Sequence, residues 1–171
     1  MSIGLWVRGA RPKTLATSIA SVMVGAAMAY VHIEQSGTCI AIYPEPASCA
    51  TAREQQTLLM DRFWPVTILC LLVALFLQIA VNYANDYSDG IRGTDAGRDT
   101  DESKSGKPQR LTASGLVPAK HVLFSAMICA AIACICGVVA VVLAQAWWLL
   151  AVGAASLLAG WFYTGGKHPY G

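Results

Sequence analysis

Charged side chains are scarce: Asp, Glu, Lys and Arg supply 13% of the 171 residues, where a soluble domain carries about 25%. The deficit is local. Residues 14–31, 63–81, 122–144 and 147–164 contain none of the four, and each stretch is 18 to 23 residues long. A helix needs roughly 20 apolar residues to cross a bilayer's hydrocarbon core. A core helix of a soluble protein is usually shorter and keeps a polar face. The absence of charge therefore excludes a soluble fold. It predicts an all-α, polytopic bundle with four spans in a lipid bilayer.

Other absences narrow the reading. No small-residue cleavage pattern follows the first apolar run, where Tyr30, Val31 and His32 stand, and the run is long for a signal peptide. It is read as an uncleaved span. The six cysteines form no metal-binding spacing; Cys70, Cys129, Cys134 and Cys136 fall within apolar spans, where a thiol acts as a small hydrophobe. Cys39 and Cys49 fall in the loop 32–62 and are candidates for a disulfide if that side is oxidising. No internal repeat or low-complexity tract is present. A net charge of +2 says little in itself, and no nucleic acid is expected as a partner.

The charge that is present falls on one side. Alternating spans put the N-terminus, the loop 82–121 and the C-terminus together. That side holds Arg8, Arg11, Lys13, Arg92, Arg98, Lys104, Lys107, Arg110, Lys120 and Lys167, ten of the twelve basic residues. The other side has only Arg53 and Arg62, beside Glu34, Glu45, Glu54 and Asp61. The positive-inside rule places the N-terminus and the long loop in the cytoplasm, with the protein in the cell (inner) membrane. Loop 32–62, with Pro44 and Pro46 and little periodicity, is expected to be irregular, and Gln145-Ala146 to form a tight turn. The end at Lys167-His168-Pro169-Tyr170-Gly171 lacks helix-terminating logic. Small residues on each span call for close helix neighbours. The sequence is therefore expected to be the N-terminal part of one longer membrane domain.

The informative stretch begins where the second span runs out. Asn82, Asn85, Asp86 and Asp89 are spaced i, i+3, i+4, i+7, which on a helix is one face. Gly90 and Gly93 are expected to break the helix and let Asp95 fold back to the same place. Clustered carboxylates repel unless a cation lies between them. Oxygen-only ligands favour a hard cation such as magnesium, which takes one or two carboxylates and leaves room for phosphate oxygens. The metal candidates are thus Asn85, Asp86, Asp89 and Asp95. A calcium loop starting at Asp86 fails, because its fifth and twelfth positions are Gly90 and Gly97. Downstream, Lys107 and Arg110 precede Leu111-Thr112-Ala113-Ser114-Gly115. Basic groups beside a metal cluster suit a substrate with several phosphate charges.

These residues resemble the UbiA superfamily of intramembrane aromatic prenyltransferases. Asn85, Asp86 and Asp89 match the start of its first motif, NDxxDxxxD. The last Asp departs from it, standing six residues after Asp89 rather than four. That spacing is similar to the branch acting on dihydroxynaphthoate. So are Ala10-Arg11-Pro12-Lys13-Thr14-Leu15, Arg110-Leu111-Thr112-Ala113-Ser114-Gly115 and Tyr163-Thr164-Gly165-Gly166.

The resemblance implies a larger bundle around a central cavity, with a second aspartate-rich motif beyond this sequence. It implies Mg2+ as cofactor, with polyprenyl diphosphate and dihydroxynaphthoate as substrates. Asp86, Asp89 and Asp95 would be catalytic, and Arg11, Asn82, Lys107, Arg110, Tyr163 and Lys167 would bind substrate. Other readings are a sister enzyme with another aromatic acceptor such as hydroxybenzoate, a cation transporter, or an inactive fragment. Transport calls for polar residues at midplane in several spans, and these spans are clean.

Overall fold

The computed structural model describes residues 3–37, 46–92, 111–112, 115 and 117–164. These residues form five helices: α1 (Ile3–Gly9), α2 (Pro12–Ser36), α3 (Pro46–Arg92), α4 (Ala119–Ala144) and α5 (Leu149–Thr164). The all-helical fold agrees with the sequence. Three helices are long and apolar enough to cross a membrane: α2, α3 from Cys49, and α4. The fourth expected span corresponds to α5, an apolar helix of 16 described residues that reaches Thr164, where the described residues end.

Local chemistry explains the helix boundaries. Pro12 and Pro46 stand at the first positions of α2 and α3, where a missing N–H costs nothing. α4 ends at Gln145, left-handed at φ 56°, whose N–H reaches the carbonyls of Val141 and Val142. This is a common way to satisfy a helix's last carbonyls.

Most of the loop expected to be irregular is helical, because α2 runs to Ser36 and α3 begins at Pro46. Residues 50–60 are rich in Ala, Arg, Glu, Gln, Leu and Met, all strong helix formers that need no apolar stripe. The helix also runs through Gly90 to Arg92. One glycine costs a helix interior about 1 kcal/mol, which permits a break without compelling one.

α3 is the spine. Its 47 residues rise about 70 Å, so it extends well beyond the bilayer core. It packs chiefly against α4 and next against α2. The α4 face buries Ala126, Ala133 and Ala140, every seventh residue, with Val122 and Val141. Such small residues let two backbones approach closely in lipid, where water does not drive helices together. α2 buries none of its residues.

Each end of the spine is tied. At the end nearer Pro46, Gln56 donates to the Glu34 carbonyl at 3.1 Å. Arg62 donates to the Leu143 carbonyl in the last turn of α4 at 3.3 Å. Phe63 stacks edge-on with Tyr30 and Trp64. Trp64, Trp147 and Trp148 are exposed there, as an interfacial aromatic belt requires. Cys49 is disulfide-bonded, whereas Cys70, Cys129, Cys134 and Cys136 carry free thiols. Cys39 lies outside the described residues.

At the other end lies a hydrophobic knot of Ala10, Tyr83, Leu111, Val117, Val122 and Ala126, with Leu5, Trp6 and Tyr87 packed against it. It joins α1, α3, the 111–117 segment and the start of α4. A Cβ added at Gly9 would lie 2.5 Å from Leu111 Cδ1 and 3.2 Å from Tyr83 Cε1. Leu111 is fully buried and has no room to yield. Gly9→Val should therefore destabilise the full-length protein by about 1–3 kcal/mol. Thermal unfolding in detergent checks this, with Gly4→Ala as a neutral control because nothing lies within 4 Å of Gly4.

Candidate functional site

The polar face of α3 starts where the span ends, on the same turns that support the knot. Tyr83, directly after Asn82, is buried, and its hydroxyl donates to the Trp6 carbonyl at 3.0 Å. The Trp6 and Tyr83 rings meet edge-on at 5.6 Å. Both contacts hold α1 across the end of the spine. Tyr83 is thus committed to packing.

Asn82, Asn85, Asp86 and Asp89 all lie on α3, but their surroundings divide them into two pairs. Asn82 and Asp86 are buried, at 3% and 2% exposure. Asn85 and Asp89 are half-buried. The first pair serves the protein's own backbone.

Asn82 works on the elbow between α1 and α2. Its Nδ2 donates to the Ala10 carbonyl at 2.8 Å and to Thr14 Oγ1 at 3.0 Å. Thr14 in turn donates to the Arg11 carbonyl at 2.9 Å. Gln78 donates to Asn82 Oδ1 at 3.4 Å from one turn away. The elbow residue, Arg11, is left-handed at φ 52°, a conformation that is uncommon outside glycine and that surrounding contacts must hold. Asn82 bonds on both sides of it. These hydrogen bonds engage the Asn82 side-chain amide within the protein.

Asp86 works on the segment after Arg110. Its Oδ2 accepts the Leu111 N–H and its Oδ1 the Thr112 N–H, both at 2.9 Å. The segment then closes on itself: Gly115 N–H donates to the Thr112 carbonyl and Val117 N–H to the Leu111 carbonyl. Asn85 and Asp89 stand one turn apart beside this clamp. Arg11 is half-buried at the elbow. Tyr163, near the end of α5, is 48% exposed. Asp95, Lys107, Arg110 and Lys167 lie outside the described residues. Among the described residues, no three His, Cys, Asp or Glu side chains gather as a metal site. Asn85 and Asp89 are half-buried side chains with oxygen atoms on this face of α3.

Sequence reasoning missed Thr14, Thr112 and Leu111. Their signal was present, because the stretches containing Arg11 and Arg110 also contain them. Asn82→Ala would leave the Ala10 carbonyl and Thr14 hydroxyl without this donor in a buried setting. It should cost about 1–3 kcal/mol, read as a fall in thermal midpoint of the full-length protein, and Gln78→Ala should cost less.

The profile of the UbiA prenyltransferase family matches residues 57–170. The chain is 39% identical over 171 residues to a Mycobacterium tuberculosis protein named 1,4-dihydroxy-2-naphthoate octaprenyltransferase, covering 99% of this chain and 46% of that protein. It is 35% identical over 170 residues to the Mycobacterium leprae protein of that name, again covering 46% of it. The Escherichia coli protein of that name is 28% identical over 177 residues, with 45% covered. The chain thus spans about half the length of the curated relatives it matches. No solved structure matches it. With its profile match over most of the sequence, the chain belongs to the UbiA prenyltransferase family.

Proposed function

We propose that the full-length protein transfers a polyprenyl group from polyprenyl diphosphate to 1,4-dihydroxy-2-naphthoate with loss of carbon dioxide, giving demethylmenaquinol, the reduced form of demethylmenaquinone. The observation that carries this reading is the pair Asn85 and Asp89, half-buried at the end of a membrane-length helix in a UbiA-family chain. The names of the relatives support the acceptor.

The donor set fits magnesium, which takes few protein oxygens and keeps positions for substrate phosphates. Asn85 and Asp89, with Asp95, would hold it, and when bound it would act as a Lewis acid on the departing diphosphate. Arg11, Lys107, Arg110 and Lys167 add positive charge for the remaining phosphate oxygens. The allylic C–O bond breaks with its electron pair on the diphosphate. The electron-rich ring carbon bearing the carboxylate then bonds to the allylic carbon. As carbon dioxide leaves, the electrons of the ring–carboxylate bond return to the ring. The apolar spans accept the prenyl tail and exclude the water that would quench the cation. Tyr163 contributes an aromatic wall for the acceptor.

The orientation proposed has the motif end in the cytoplasm of a cell-membrane protein. The distribution of Lys and Arg supports it. So does the disulfide at Cys49 on the opposite end of α3, since disulfides persist outside the reducing cytosol.

The test is prenyl transfer in membranes expressing the complete reading frame. Labelled polyprenyl diphosphate and dihydroxynaphthoate are supplied with and without magnesium. Asp89→Ala and Asn85→Ala should each lower kcat about 100-fold or more. Full activity of Asp89→Ala would refute the assignment of the site. Prenylation of hydroxybenzoate alone would refute the acceptor.

A further inference from the structure

The motif's first carboxylate has a use that its spacing does not disclose. Asp86 is buried to 2% exposure, and each of its oxygens already accepts a backbone N–H, from Leu111 and Thr112, at 2.9 Å. Two parallel bonds to consecutive amides fix both the position and the rotation of that peptide. Leu111 is fully buried in the knot, and its side chain lies against the backbone of Gly9. The segment is therefore held from two directions, by the carboxylate at its backbone and by the knot at its side chain. Among the described residues, the Thr112 hydroxyl is buried without a hydrogen-bond partner. A loop would normally turn such a group to water, so the clamp holds this one against that preference.

We propose that Asp86 is a positioning residue and not a magnesium ligand. It anchors the peptide of Leu111 and Thr112, the residues that directly follow Arg110 in the sequence, against α3. The inference rests on the functional reading above for the meaning of that site, but the clamp itself is defined by backbone contacts alone. Four residues of similar chemistry within eight positions thus divide by role. Asn82 and Asp86 fasten the two segments that pack on α3, and Asn85 and Asp89 serve the metal.

The experiment uses full-length protein in detergent and compares Asp86→Asn, Asp86→Glu and Asp89→Asn with the wild type. Asparagine turns an NH2 group toward one backbone N–H and so breaks half of the clamp. Glutamate keeps the charge but displaces both oxygens by a methylene. Mn2+ alone, followed by EPR, reports the metal site. Tryptic cleavage after Lys107 and Arg110 reports the segment, and donor KM against kcat reports its effect on the reaction.

Both Asp86 variants should bind Mn2+ within about twofold of wild type, whereas Asp89→Asn loses about tenfold or more. Both should be cleaved about tenfold faster and show a raised KM for polyprenyl diphosphate. A drop in Mn2+ affinity for Asp86→Glu and Asp86→Asn equal to that of Asp89→Asn would overturn the proposal. Unchanged cleavage and unchanged donor KM would overturn it as well. If Asp86→Asn does not fold, Asp86→Glu alone decides by the same criteria. EPR and proteolysis need no prenyl substrate, so absence of transfer to dihydroxynaphthoate would fault the functional reading alone.

Discussion

A charge taken out of water must be met by hydrogen-bond donors or by an opposite charge. In this protein the demand falls on Asp86, and two main-chain amides meet it. Much of the organisation at that end of α3 depends on this contact. It brings Leu111 into the knot, where it meets Gly9 and Tyr83. Asn82, one turn earlier, performs the equivalent task for the α1–α2 elbow.

The rest of the molecule is held by different physics. Along the spans, α3 and α4 meet through alanines at seven-residue spacing, and large apolar side chains such as Met28, Phe124 and Leu158 face outward. Lipid is as apolar as those side chains, so close packing of small residues drives association there. At the end of α3 the hydrophobic knot and the buried hydrogen bonds act together. The molecule thus has its most closely specified region where its polar groups cluster. The reaction proposed for this protein needs such rigidity, because misplacing donors by about 1 Å costs much of the rate.

The roles proposed for the two pairs on α3 suit that need. Donors for a metal must keep positions open for substrate and water, which the half-buried Asn85 and Asp89 can do. The groups that fix the surrounding segments must not exchange with water, and Asn82 and Asp86 are buried. Placing both pairs within two turns of one helix makes the scaffold and the site a single element.

The all-helical membrane character was legible from charge alone, since a stretch without charge as long as residues 63–81 suits lipid far better than water. The tight turn at Gln145 was legible too. Helix limits outside the spans were not, because residues 50–60 form a helix through intrinsic preference rather than apolar pattern. Spacing alone put Asn82, Asn85, Asp86 and Asp89 on one helix face. It could not divide them by role, because residues of like chemistry look alike until their partners are known. The partners come from far along the chain, 72 residues away for Asn82 with Ala10 and 25 for Asp86 with Leu111. The order of residues along α3 thus sets which chemistry is available at this end of the helix. Which of those groups the protein uses on itself follows from the folded chain, because burial and distant backbone donors make that choice.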